Sequence, residues 1–193
     1  MKRSPGGLCA GPLLSIGPVF HSCVGEKLVI LQKKVSGVSR STLERFVRQA
    51  RGAAGLRAPV NVLITTSAEL RRLNRIFRGA DKPTDVLSFP ASEGDSLRLA
   101  GEVAISVDIA RENALRLRHP LRNEVKVLIL HGILHLAGYD HERDNGEMAR
   151  KELRLRKLMK LEFGLIERSQ PPARMRSSAA APGTPRRGFG RSA

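Results

Sequence analysis

The chain predicts an α+β domain: a small mixed four-stranded sheet packed with about five to six helices. Three observations carry that prediction. Strand-like and helix-like segments follow one another without strict alternation, which argues against a doubly wound α/β fold. One long segment, 121–136, is apolar almost all round and reads as a central buried helix. The 193 residues are 41% hydrophobic, enough to build one core without disulfide staples.

Each element has its own signal. Residues 27–32 read as a strand. Ser41-Thr42-Leu43-Glu44 has the pattern of a capping box, and Leu43, Phe46, Val47 and Ala50 form a helical stripe behind it. Residues 60–65 read as a second strand. Thr66-Ser67-Ala68-Glu69 is another capping box, opening a helix through Leu70, Leu73 and Phe77. Residues 85–89 are short and extended, ended by Pro90. A further strand covers 102–106, and 107–117 is helical. Gly138 stops the central helix. Asp144-Asn145-Gly146-Glu147 caps a last helix through Met148, Leu155, Leu158 and Met159 to Phe163, with Gly164 ending it.

Both ends differ from this body. Residues 1–25 are rich in Gly, Pro and Ser and lack periodicity. Lys2 and Arg3 before the apolar Leu8–Ile16 run suggest a signal peptide, but Gly11 and Pro12 break that run. The segment is expected to be a disordered extension, or a start assigned too far upstream. Residues 168–193 form a Pro/Ala/Ser/Arg tail too poor in apolar surface to fold. The folded domain is therefore expected over 26–167.

Charge narrows the function. The net charge is +16, of which the acid-free tail contributes +6, so the body carries +10 by itself. Such a chain is drawn to polyanions, nucleic acid before membrane. Six Phe, one Tyr and no Trp are few for gripping single strands by stacking, so phosphate contacts should dominate. No apolar run reaches the roughly 18 residues of a membrane span. Cys9 and Cys23 are too few for a disulfide framework and suit a reducing compartment.

Three of the five histidines stand in His131-Gly-Ile-Leu-His135-Leu-Ala-Gly-Tyr-Asp-His141. His131 and His135 are one helical turn apart, about 40° around the axis and about 6 Å along it, so they share a face. A lone buried histidine is usually just hydrogen-bonded. Two within an apolar helix carry a solvation cost that a metal ion offsets. Gly138 lets the chain turn back so that His141 completes the set. Three neutral nitrogens and an open fourth position describe a catalytic zinc site, where water is acidified toward a pKa of about 7. Zinc metalloproteases carry a Glu directly after the first histidine as general base; here that position is Gly132. His119, before Pro120, is expected to be exposed, and neither it nor His21 is expected to be a ligand.

HGILHLAGYDH resembles the signature of the YbeY family of bacterial endoribonucleases, the ribosomal-RNA maturation factors. A second block, Leu73-Asn74-Arg75-Ile76-Phe77-Arg78-Gly79-Ala80-Asp81-Lys82-Pro83-Thr84-Asp85-Val86-Leu87-Ser88-Phe89-Pro90, is similar to another family stretch. Gly101-Glu102-Val103-Ala104-Ile105-Ser106 and the closing Phe163-Gly164 match as well, with Glu102 standing where Asp is common. The resemblance covers about 27–167. It implies one zinc ion per chain held by His131, His135 and His141. It also implies metal-dependent endonucleolytic cleavage of single-stranded RNA. The implied setting is the cytoplasm: maturation of the small-subunit ribosomal RNA 3′ end, and ribosome quality control. The implied partners are single-stranded RNA, ribosomal RNA and the small subunit, with no membrane. The family's motif arginine falls on Arg78.

Several roles stay open at this level. Arg78 suits a bidentate phosphate clamp, or a salt bridge to Asp85 or Glu102. Asp85 suits partnership with a ligand histidine, though capping the turn after Pro83 is preferred. Asp140 suits orienting a ligand, activating water or fixing the turn beside Gly138. No residue is assigned as general base, and the attacking oxygen is either water or the RNA 2′-hydroxyl. Two other functions share these features: a non-catalytic, zinc-stabilised ribosome-assembly factor, and a zincin-like peptidase, which Gly132 disfavours.

Overall fold

The structure, a computed structural model, describes residues 28–33, 37–92 and 99–161. The expected extensions at 1–25 and 168–193, with Cys9, Cys23 and His21, lie outside them. The order of elements is β1 (Val29–Leu31), α1 (Arg40–Ala54), β2 (Val60–Thr65), α2 (Ser67–Arg78), β3 (Val86–Pro90), β4 (Gly101–Ser106), α3 (Val107–Arg116), α4 (Leu121–Leu136) and α5 (Glu147–Leu158). The expected α+β class, with its mixed four-stranded sheet, is what forms, and the described residues hold five helices.

The strands run β1-β2-β4-β3 across the sheet. β1, β2 and β4 are parallel, and β3 is antiparallel to β4. β4 has neighbours on both sides, and all six of its residues are buried. Alternation sorts its side chains: Val103 and Ile105 join the large core with α1, α4 and α5, while Ala104 faces Leu70 and Leu73 of α2. β3 lies at the edge, where Pro90 removes no ladder bond the sheet needs. The strand therefore runs through that proline instead of stopping before it.

α4 is buried along most of its length, from Glu124 to Leu134 with only Lys126 half-exposed. It packs on α1, α3, α5, β3 and β4. That position explains why it is apolar on every face. At its C-terminus Gly138 adopts φ +88°. The Tyr139 N–H donates to the Leu134 carbonyl at 3.1 Å, and the Gly138 N–H to the His135 carbonyl at 3.0 Å. This is a Schellman cap, and it turns the chain back over the helix end. A Cβ at Gly138 would meet nothing within 4 Å, so the left-handed backbone alone calls for glycine.

Three details differ from expectation. The cap of α1 is Ser39, whose hydroxyl accepts the Thr42 N–H at 3.3 Å. The helix thus begins one residue before the Ser41 box. α5 stops at Leu158 because Lys160 takes φ +55° and turns Leu161 into the core. Burial of Leu161 offsets a left-handed non-glycine cost of about 1–2 kcal/mol. Phe163 and Gly164 lie outside the described residues. The His119 side chain is buried rather than exposed, with Nε2 3.0 Å from Glu124 Oε2 at the start of α4. A polar ring next to a buried carboxylate is drawn inward. Thr66, by contrast, caps α2 as expected, accepting the Glu69 N–H at 3.2 Å.

Candidate metal centre

His131 and His135 come from the last turns of α4, and the Schellman turn delivers His141 beside them. One ligand nitrogen from each of the three lies within 4.8 Å of the other two. Ring centroids are 4.7, 5.2 and 5.4 Å apart, so the imidazoles surround a single point. His131 Nε2 and His135 Nε2 are 3.1 Å apart. Two nitrogens on a tetrahedral ion with bonds of about 2.05 Å stand about 3.3 Å apart, so the spacing fits. A nitrogen-only set of neutral donors suits zinc and its neighbours in the transition series.

The electrostatics favour a metal over protons. Burial, then the nearby rings of His131 and His141, lower the His135 pKa to about 4. The Asp140 charge and a hydrogen bond to the Tyr139 backbone act weakly the other way. At neutral pH the His135 ring is therefore neutral and keeps a lone pair to donate.

His131 is almost fully enclosed, and its Nδ1 lies 3.2 Å from Oε2 of Glu152 on α5. Glu152 is itself buried, and its Oε1 stands 3.9 Å from Nε of buried Arg156. Sequence reasoning missed Glu152. Its signal was a carboxylate on the apolar stripe of α5, between buried Met148 and buried Leu155 at helical spacing.

Asp85, the sequence's candidate for contact with a ligand histidine, does something else. Its Oδ1 accepts the Val86 N–H at 2.9 Å and the Thr84 hydroxyl at 3.4 Å, the capping role preferred above. Asp140 Oδ1 accepts the Glu142 N–H at 3.1 Å and so braces the turn to His141. Asp144 accepts the N–H groups of Gly146, Glu147 and Met148, which caps α5 and lowers its pKa.

The three histidines open into a cleft of about 460 Å³ whose walls include Arg78, Asp85, Ser88, Tyr139 and Asp140. Arg78 is exposed, and no salt bridge to it forms among the described residues. Its neighbours on α2 are occupied: Arg71 with Asp81, and Arg72 with Glu69. The Ser88 hydroxyl donates to the Gly132 carbonyl at 3.2 Å, which ties the cleft floor to α4.

The family model for the endoribonuclease YbeY matches residues 25–160 of this chain. The chain belongs to the YbeY family. Among curated relatives, the endoribonuclease YbeY of Koribacter versatilis is 55% identical over 148 residues, 76% of this chain and 95% of that protein. The endoribonuclease YbeY of Solibacter usitatus is 46% identical over 142 residues, 74% of this chain and 94% of that protein. Among solved structures, the solution structure of TM1509 from Thermotoga maritima is 33% identical. It covers 65% of this chain and 85% of its own, with a TM-score of 0.45. Within the YbeY family match fall both motif blocks, the three histidines and Glu152.

No described helix is long and apolar enough to cross a membrane.

Proposed function

We propose that this chain is a zinc-dependent endoribonuclease that cuts single-stranded RNA, working late in ribosomal RNA maturation at the small-subunit 3′ end and in ribosome quality control in the cytoplasm. The observation that carries it is the shared cleft: a three-imidazole site and the exposed guanidinium of Arg78 line the same space. The catalytic unit is residues 26–167, with the basic 168–193 segment adding attraction to RNA.

In this reading His131, His135 and His141 hold one zinc ion per chain. When bound, that ion supplies Lewis-acid stabilisation of negative charge at the phosphodiester. Arg78 binds non-bridging phosphate oxygens through its planar fork and holds the scissile linkage over the histidines. Asp140 keeps the turn that carries His141 in register. The net charge of +16 draws the RNA backbone and makes binding steeply salt-dependent.

The peptidase alternative loses ground at Gly132. A Cβ there would stand 2.6 Å from Val103 Cγ1, so the position has no room for the glutamate such enzymes use.

The test is parallel metal analysis and RNA cleavage on zinc-loaded wild type and His135→Ala. The expected result is about one zinc per wild-type chain, with cuts in single-stranded RNA that the variant does not make. Intact RNA with metal-replete wild type, or equal cleavage by both proteins, would refute the activity. Variants that lose zinc and unfold together would favour the assembly-factor reading.

A further inference from the structure

We infer that Glu152 is a positioning residue for the metal centre, setting which nitrogen of His131 faces the cation. The inference rests on the metal reading above and adds the residue that prepares the ligand.

His131 and Glu152 are 21 positions apart in sequence and meet only because α5 packs along α4. Both side chains are at least 96% buried, as is Arg156 behind them. A carboxylate oxygen can only accept, so at 3.2 Å the donor is His131 Nδ1. A neutral imidazole with its hydrogen on Nδ1 carries its lone pair on Nε2. That is the atom facing His135 Nε2 at 3.1 Å. The Glu152 bond therefore selects the tautomer and the ring plane that a cation between these histidines requires, and it makes the ring a stronger donor.

Placing a carboxylate in an apolar stripe carries a desolvation cost that core packing does not repay. Arg156, one turn along α5, opposes the charge. Met148 and Leu155 on either side are ordinary core residues. A helix selected only to pack would carry an apolar side chain at 152. The asymmetry also assigns unequal parts to the three histidines: His131 is held rigidly from behind, while His135 and His141 stand at the half-buried mouth.

The experiment uses the full chain, unaltered and as Glu152→Gln, with zinc affinity read by competition against a chromogenic chelator. Glutamine keeps the volume of the side chain but loses its charge and presents a donor as well as an acceptor. The expected result is a folded variant that binds zinc about 10- to 100-fold more weakly than wild type. Nitrogen-15 NMR of the metal-free wild type should show the His131 proton on Nδ1, with mixed tautomers in the variant. Equal affinity in a folded variant overturns the inference, as does a wild-type His131 proton on Nε2. Where the variant does not fold, the wild-type tautomer decides. Wild type that takes up no zinc overturns the metal reading itself, a result distinct from tight wild-type binding that Glu152→Gln leaves unchanged.

Discussion

Gly132 of α4 lies against Val103 of β4 so closely that a Cβ on it would stand 2.6 Å from Val103 Cγ1 and 3.1 Å from Ser88 Oγ. The residue between the first histidine and the rest of the motif is thus where helix and sheet touch. Gly132→Ala should cost about 1–3 kcal/mol, through displacement of a buried β-branched neighbour. Gly132→Glu should fail to fold, and should not create a peptidase. Urea denaturation of both variants beside a casein-cleavage assay checks this. A stable, folded Gly132→Glu would contradict the packing argument.

The three histidines should not be equivalent on replacement. His131→Ala strips buried Glu152 of the imidazole it faces, so it should lower both zinc content and the Tm of the metal-free protein. His135→Ala removes a half-buried ring and relieves crowding among three imidazoles, so it should abolish zinc binding with a smaller change in metal-free Tm. Calorimetry in chelator, paired with metal analysis, separates the two.

Stability of the metal-free protein should fall with acid through His135. Its pKa is about 4 in the folded chain and 6.5 in the unfolded one. Between those values the unfolded chain binds more protons. The folded state therefore loses ground as pH drops from about 6.5 toward 4. Urea midpoints in chelator at pH 7.5 and 4.5 should drop more for wild type than for His135→Asn. Parallel slopes for the two proteins would rule out this assignment. With zinc present the same protons compete with the cation, so zinc occupancy should fall over the acid range.

Arg78→Ala should weaken cleavage of single-stranded RNA by about 10- to 100-fold, the value of a charge-assisted phosphate contact of about 1.5–3 kcal/mol. Stability should change by no more than about 0.5 kcal/mol, because the side chain is exposed and forms no salt bridge among the described residues. The slope of log affinity against log salt should become shallower by about one. Arg78→Lys should restore the salt slope more fully than the cleavage rate, since an ammonium keeps the charge but not the fork. Filter binding across a salt series, beside single-turnover cleavage, reads both.

Much of the site could be read from local spacing. The four-residue interval between His131 and His135, and a glycine that lets the chain reverse before His141, are local features. Local backbone geometry is enough to bring those rings together. The same holds for the α+β class, for the Thr66 cap and for the central place of an all-apolar helix. Only the tertiary structure decided what depends on distant segments meeting. Glu152 reaches His131 because α5 lies along α4, and Arg78 shares the cleft, although α2 and α4 cover opposite faces of the sheet, because edge strand β3 and the segment entering it wall the cleft between them. The His119–Glu124 contact spans only five residues, but both side chains are buried because the start of α4 packs into the fold. Periodicity reports which face of an element is buried. Which other element covers that face follows from strand order and burial across the whole chain, and neither is encoded within a single turn.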